Sequence, residues 1–200
     1  MVPASAHTGS LIDASVAHSS VAPSIRIAGV ALAVAVTGAA AQVAVRLPFT
    51  PVPFVLTPLA VLLSGGALGS RLGFAAMIAY LAAGIAGLPV FAPSPDLPPG
   101  ALRLIGPTGG YLLAYPCAAW ITGYLAERGW DRRYLTSAAA MLVGLAVIFI
   151  GGVSGLAIFF THSLSAALAQ GLKWFIALDV LKVLAAALVL PSAWKFISQK

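Results

Sequence analysis

From Gly171 to Pro191 the chain reads GLKWFIALDVLKVLAAALVLP, long and apolar enough to cross a bilayer as one helix. Hydrocarbon offers no water to bond a bare N–H or C=O group, so such a segment must satisfy its backbone internally, as a helix does. Two charges interrupt it. Asp179 and Lys182 each cost roughly 2.5–3.5 kcal/mol at the centre of a spanning helix. Charges so placed are rare and usually functional. At i and i+3 they leave the same face of the helix. A cation beside an anion inside an apolar protein points to a polar ligand site or an ion path. The plain alternative is a structural ion pair.

The rest of the chain agrees with a membrane setting. Of its 200 residues 60% are hydrophobic and 8% charged, with a mean hydropathy of +1.01. A soluble domain is about 25% charged. At about 20 residues per span, the length allows about six helices in an all-α, polytopic bundle. A β-barrel would need period-two alternation, which the sequence lacks. No room remains for a soluble catalytic domain. The formal charge is +6, but the basic residues sit at helix ends, so topology explains them and nucleic acid is not expected as a partner. Cys117 is the single cysteine, which excludes an internal disulfide, and it reads as a small buried hydrophobe. His7, His18 and His162 lack metal-ligand spacing, so neither metal nor cofactor is expected.

Residues 1–24 are rich in Ala, Ser and His and read as a disordered tail. A late signal peptide, with Arg26 before an apolar run and Ala39-Ala40-Ala41 as its cleavage site, is the weaker reading, because the tail before it is too long. Helices are expected over roughly 25–45, 56–64, 68–88, 109–127, 135–160 and 171–191, in a membrane domain of residues 25–195 with a short tail, 196–200, after it. Pro48, Pro51 and Pro53 forbid a regular helix between Arg46 and Phe54. The apolar residues among them predict an ordered loop that packs. A second proline-rich loop runs from Pro89 to Pro107, and a polar one, Arg128 to Arg133, reads as solvated. The second helix is expected to end at Gly65-Gly66, its boundary with the third depending on residues 65–69.

With six spans, one side collects Arg26, Arg71, Arg128, Arg132, Arg133, Lys195 and Lys200. The other has Arg46, Arg103 and Lys173. The bias predicts a plasma-membrane protein with both termini in the cytoplasm. The proline-rich loops then face outward. Asp179 lies about 12 Å below the outer end of the last helix and Lys182 about a turn deeper, as the polar floor of an outward-facing cavity. The fourth helix begins at Thr108-Gly109-Gly110-Tyr111, and its free N–H groups and positive end suit a carboxylate. The two glycines are read as room for a ligand to approach the backbone.

Several stretches together carry a specific resemblance: Leu47-Pro48-Phe49-Thr50-Pro51-Val52-Pro53; Tyr80-Leu81 with Gly84 and Gly87-Leu88-Pro89-Val90-Phe91-Ala92; Gly106-Pro107-Thr108-Gly109-Gly110-Tyr111; Leu125-Ala126-Glu127-Arg128-Gly129; and Asp179-Val180-Leu181-Lys182. In this order and spacing the chain resembles the BioY family, the biotin-specific S components of energy-coupling factor (ECF) transporters. The resemblance implies a six-helix S component that captures biotin from outside under a lid, Pro48 to Pro53, after the first helix. It implies coupling to a transmembrane T component and to cytoplasmic ATPase subunits. The chain itself has no phosphate-binding loop of the G-x-x-x-x-G-K-S/T type. Ala31, Ala35 and Ala39 form a small-residue stripe on the first helix. A similar stripe in the family faces the T component, and internal packing is the alternative. Val55 and Thr57 stand where the family commonly has Thr and Gln, and Pro93 to Pro99 is richer in proline than usual.

Biotin offers an apolar thiophane ring, a ureido group with N–H donors and a carbonyl, and a carboxylate on a flexible chain. Asp179 can accept ureido N–H bonds. Lys182 can neutralise Asp179, donate to the ureido carbonyl or meet the ligand carboxylate. The helix entrance at Gly106 to Tyr111, with Arg103, is the other candidate for that carboxylate. Tyr111 and Phe91 are placed to pack on the ring. An ion- or proton-coupled carrier using the Asp179/Lys182 pair is the competing function. Gly152-Val153-Ser154-Gly155 with His162 is similar to the serine motif of rhomboid-type intramembrane proteases, but the rest of that layout is missing. The sequence leaves open whether the chain works alone, as a homo-oligomer or with partners.

Overall fold

The computed structural model describes residues 10–16, 22–94 and 99–197. Its helices are α1 (Leu11–Val16), α2 (Ala22–Gln42), α3 (Thr57–Ile85), α4 (Gly109–Glu127), α5 (Tyr134–Leu156), α6 (Leu164–Gly171), α7 (Ile176–Ala186) and α8 (Val189–Ile197). A two-residue antiparallel pair, β1 (Ala44–Val45) with β2 (Phe54–Val55), closes the loop between α2 and α3. Among the described residues, four stretches are long and apolar enough to cross a membrane: Pro23–Gln42, Thr57–Ile85, Tyr134–Thr161 and Ile176–Phe196.

α3 is a hairpin. Gly69 adopts φ 83°, ψ 176°, a conformation open to glycine and costly for any side chain. The chain doubles back there, so that a Cβ on Gly73 would lie 2.9 Å from the Cα of Gly65. The two arms, with α2, α4, α5 and the α7–α8 pair, make the expected bundle of helices. The break falls at Gly69 rather than at Gly65-Gly66, because Gly65 and Gly66 are needed for close packing, against Ala119 and Leu190. The N-terminus of the second arm is capped from another helix. Glu127 Oε1 accepts from Ser70 N at 2.7 Å, and Ser70 Oγ donates to both carboxylate oxygens at 2.9 and 3.0 Å. Such a clasp answers a helix's orphan N–H groups with an anion.

The core is continuous across the bundle, with Val61, Leu62, Met77, Tyr80, Met141, Ile148 and Leu156 essentially shielded from solvent. α4 lies between α3 and α5. Two sequence expectations are corrected at the end of α4. The polar loop is not simply solvated: Asp131 is 1% exposed, Trp194 Nε1 donates to its Oδ2, and the Arg132 guanidinium lies 4.3 Å from the Trp194 ring centre. This polar knot ties α8 to the α4–α5 turn. Burial pushes the Asp131 carboxyl above its ordinary value, with the Trp194 N–H and Arg132 pulling the other way. Cys117 is exposed, on the outer side of α4, rather than buried.

The last span also differs from the single helix expected over 171–191. The Tyr111 hydroxyl donates to Gly171 O at 2.7 Å, which engages that carbonyl outside the helical ladder. α6 ends there, and a turn leads into α7 five residues later. Part of the expected disordered tail is ordered. Ser10 is buried, Leu11 joins the core, and Asp13 pairs with Arg26 at 2.8 Å. The rest of that expectation, residues 1–9 and 17–21, lies outside the described residues, as do residues 95–98 of the second proline-rich loop.

Candidate functional site

The loop 46–54 is held down at several points. Pro48, Pro51 and Pro53 keep it out of helical geometry, and its apolar side chains then find partners on the α6–α7 turn. Thr50 Oγ1 donates to Gln170 O at 2.8 Å. Phe49 packs on Trp174 with ring centres 4.7 Å apart, and Phe54 stacks on Phe175 at 6.5 Å. Lys182 Nζ donates to Val55 O at 2.8 Å and stands 3.7 Å from the centre of the Phe54 ring.

The pair on α7 is formed: Lys182 Nζ is 2.5 Å from Asp179 Oδ1, with side chains 16% and 8% exposed. That contact is a close ion pair, and the ammonium is the partner of this buried oxygen. Asp179 and Lys182 play different parts. Asp179 faces a cavity. Lys182 is turned beneath the loop, between the carboxylate, the Val55 carbonyl and the Phe54 ring, and is not part of the cavity wall.

That cavity has an empty volume of about 630 Å³, part of it open to solvent. Val52, Pro53 and Val55 roof it. Tyr80, Phe91, Tyr111, Tyr115, Phe149 and Phe175 form aromatic walls, and Thr57, Thr108 and Asp179 are its polar points apart from the tyrosine hydroxyls. An apolar, aromatic chamber with few polar groups is the usual make-up of a small-molecule site. Phe91 is placed by a run of bonds to its own loop: Tyr80 Oη donates to Val90 O at 3.0 Å, and Gln42 Nε2 to Pro89 O at 2.9 Å. Its ring meets Tyr80 edge-on, 5.5 Å between centres, over the bare surface of Gly84.

Arg103 stands in a second, outer cleft of about 1130 Å³. It shares Pro53, Ala92 and Thr108 with the inner cavity, and its other walls include Arg46, Thr50, Pro51 and Gly106. Arg103 is 7% exposed, and its Nη1 donates to Ala92 O at 2.9 Å. Burial lowers its pKa from the ordinary guanidinium value, though arginine stays charged in proteins.

Gly109 and Gly110 are not in either wall. A Cβ on Gly109 would overlap the Leu104 carbonyl, and one on Gly110 would lie 2.8 Å from the Cα of Gly155. Their smallness serves contact with the preceding turn and with α5, not room for a ligand. Ala31, Ala35 and Ala39 are all exposed on the outer face of α2, away from the core. The sequence reading did not place Tyr80, Tyr115, Phe149, Phe175, Thr57 or Arg46 in the site, although it named Tyr80 in a motif stretch, Thr57 as a departure from the family and Arg46 at the start of the loop. The two tyrosines, polar groups in apolar helices, carried the available signal. The phenylalanines carried none.

The BioY family model matches residues 14–199. The biotin transporter BioY of Thermotoga maritima is 38% identical over 149 residues, 72% of this chain and 82% of that protein. A probable biotin transporter BioY of Pyrococcus horikoshii is 39% identical over 160 residues, 80% of this chain and 90% of that one. A crystal structure of the S-component for biotin from an ECF-type ABC transporter superposes with a TM-score of 0.78 at 23% identity, covering 86% of this chain and 92% of that one. At that identity the structural likeness bears on the fold.

Proposed function

The chain belongs to the BioY family, and from that premise we propose that it is the biotin-capturing membrane subunit of a vitamin transporter. The observation that carries the reading is the roofed aromatic chamber with one carboxylate in its wall and a roof tied to the same helix. The ureido N–H groups of biotin meet Asp179, the carboxylate in that wall. The thiophane ring lies among Tyr80, Phe91, Tyr111 and Tyr115. A second carboxylate beside Asp179 would be repelled, so the acid end points outward, past Thr108 to Arg103 and Arg46. Of the roles open to Lys182, neutralising Asp179 and holding the lid fit its position best.

The chain takes biotin from outside, with both termini in the cytoplasm. It hands the vitamin on with a T component and ATPase subunits, since it carries no nucleotide-binding motif of its own. The exposed face of Ala31, Ala35 and Ala39 is a surface that a T component could approach closely.

Purified protein melted with and without biotin tests the reading, because a ligand of the native state must raise the melting temperature. A rise that is lost in Asp179→Asn is expected. No rise at ligand far above micromolar would refute biotin as the ligand. Potential-driven flux through vesicles holding this chain alone would favour the ion-coupled carrier instead.

A further inference from the structure

The outward side of α4 carries a ridge of exposed residues, Leu113, Cys117, Trp120 and Tyr124. Two grooves flank it and meet at Cys117. One, of about 710 Å³, lies toward the second arm of α3 and is walled by Arg71, Phe74 and Trp120. The other, of about 800 Å³, runs between α4 and α5, where Gly110 packs against Gly155. It is lined by apolar groups along its length.

Charge is confined to one end of this track. Arg71 lines the first groove. The clasp of Glu127 on Ser70 brings the next residue of each, Arg128 and Arg71, to the same end of the bundle. The Arg128 guanidinium stands 3.8 Å from the Tyr124 ring centre, and Tyr124 stacks on Trp120 at 5.5 Å. Glu127 keeps its charge there, with both its oxygens turned to Ser70, and Arg71 and Arg128 outnumber it. Along α4, Trp120 to Gly110 spans about 15 Å, half of a hydrocarbon core of about 30 Å.

We propose that this track binds an anionic glycerophospholipid from the leaflet at the Gly69 end. Its phosphate sits between Arg71 and Arg128, its glycerol beside Trp120, and one acyl chain lies past Cys117 toward Gly110. Cations above a belt of Trp and Tyr, with an apolar furrow one leaflet deep below, match the parts of such a lipid. The assignment stands apart from the biotin reading.

The test is native mass spectrometry of the full chain in detergent with equal amounts of phosphatidylglycerol and phosphatidylcholine of the same acyl chains. Retention of phosphatidylglycerol is expected to win by on the order of tenfold, as two basic side chains allow, and the preference is lost in Arg71→Gln/Arg128→Gln. An unchanged melting curve checks that the variant is folded; should it not be, the single variants Arg71→Gln and Arg128→Gln are each expected to lower the preference. In vesicles, phosphatidylglycerol brominated on its acyl chains should quench the fluorescence difference between wild type and Trp120→Phe more than brominated phosphatidylcholine does. Equal retention of the two lipids by wild type, a preference that survives in the variants, or equal quenching would each overturn the proposal.

Discussion

Replacing Lys182 by Met removes three interactions at once while keeping a long apolar side chain. The ammonium neutralises Asp179 at 2.5 Å, donates to Val55 O at 2.8 Å and lies 3.7 Å from the Phe54 ring centre. Breaking a buried pair on one side costs about 3–5 kcal/mol, because the partner charge is left uncompensated. The carboxylate can relieve part of this by taking up a proton, and a protonated Asp179 is a poorer acceptor for the ureido group. The lost charge-assisted bond to Val55 O adds about 1.5–3 kcal/mol to the cost of holding the lid down. These terms overlap, so a net loss in binding of about 3 kcal/mol is expected, more than a hundredfold in Kd at 1.4 kcal/mol per tenfold. Calorimetric titration of biotin into detergent-purified Lys182→Met, beside a thermal melt, measures both effects. Asp179→Asn/Lys182→Met separates them: it should recover the melting temperature, since no charge is stranded, without recovering affinity. A single variant that melts like wild type and binds within threefold would refute the assignment of Lys182 as the tie between carboxylate and lid.

Three further outcomes follow from the same geometry. Thr50→Val removes the neutral bond from the lid to Gln170 O, worth about 0.5–1.5 kcal/mol, and should speed biotin release several-fold in a stopped-flow chase with little change in melting. Gly69→Ala forces a side chain into φ 83° and against Glu127 Oε1, with Ser10 beyond it; a lower melting temperature, by an amount matching about 1–3 kcal/mol, is expected, and no change would mean the hairpin turn relaxes freely. The folded Asp131 carboxyl holds its proton more tightly than the ordinary value of 3.8, so its contribution to stability is complete below that pH and is lost as pH rises through the folded value. Wild-type melting temperature should therefore decline as pH rises above 3.8 through the folded value, and Asp131→Asn should be flatter there.

The helical bundle was legible because apolar length is a one-dimensional signal: a run such as 171–191 has no other stable state in hydrocarbon. Asp179 was legible for the same reason in reverse, as a group too costly to be there by accident. Contacts between distant segments were not legible. That Glu127 caps the second arm of α3 depends on Ser70, far away in the chain, and on a break at Gly69 that looks in the sequence like any glycine in a glycine-rich run. Asp131 sat in a stretch of alternating charge that reads as solvent-facing, and its burial depends on contacts with α4, α5 and Trp194 of α8. Gly109 and Gly110 show the limit most plainly. Smallness announces a close approach but not what approaches, and here it is the Leu104 carbonyl and α5.

The charge pair and the lid form one device. An isolated Asp–Lys pair in an apolar helix is often no more stabilising than two hydrophobes of the same size, so its presence needs a further reason. Here the cation reaches across to the backbone of β2 while it pairs with the anion, and the anion lines the chamber. On the proposed reading, a ligand N–H gives Asp179 a second partner beside Lys182, on the helix that anchors the roof. Strengthening the bond at Asp179 keeps the carboxylate charged, and a charged carboxylate holds Lys182 in place beneath Val55. If biotin sits as proposed, ligand capture and closure of the loop are linked through one ammonium group, and whatever draws α7 away from β2 would weaken the lid and the ureido contact together.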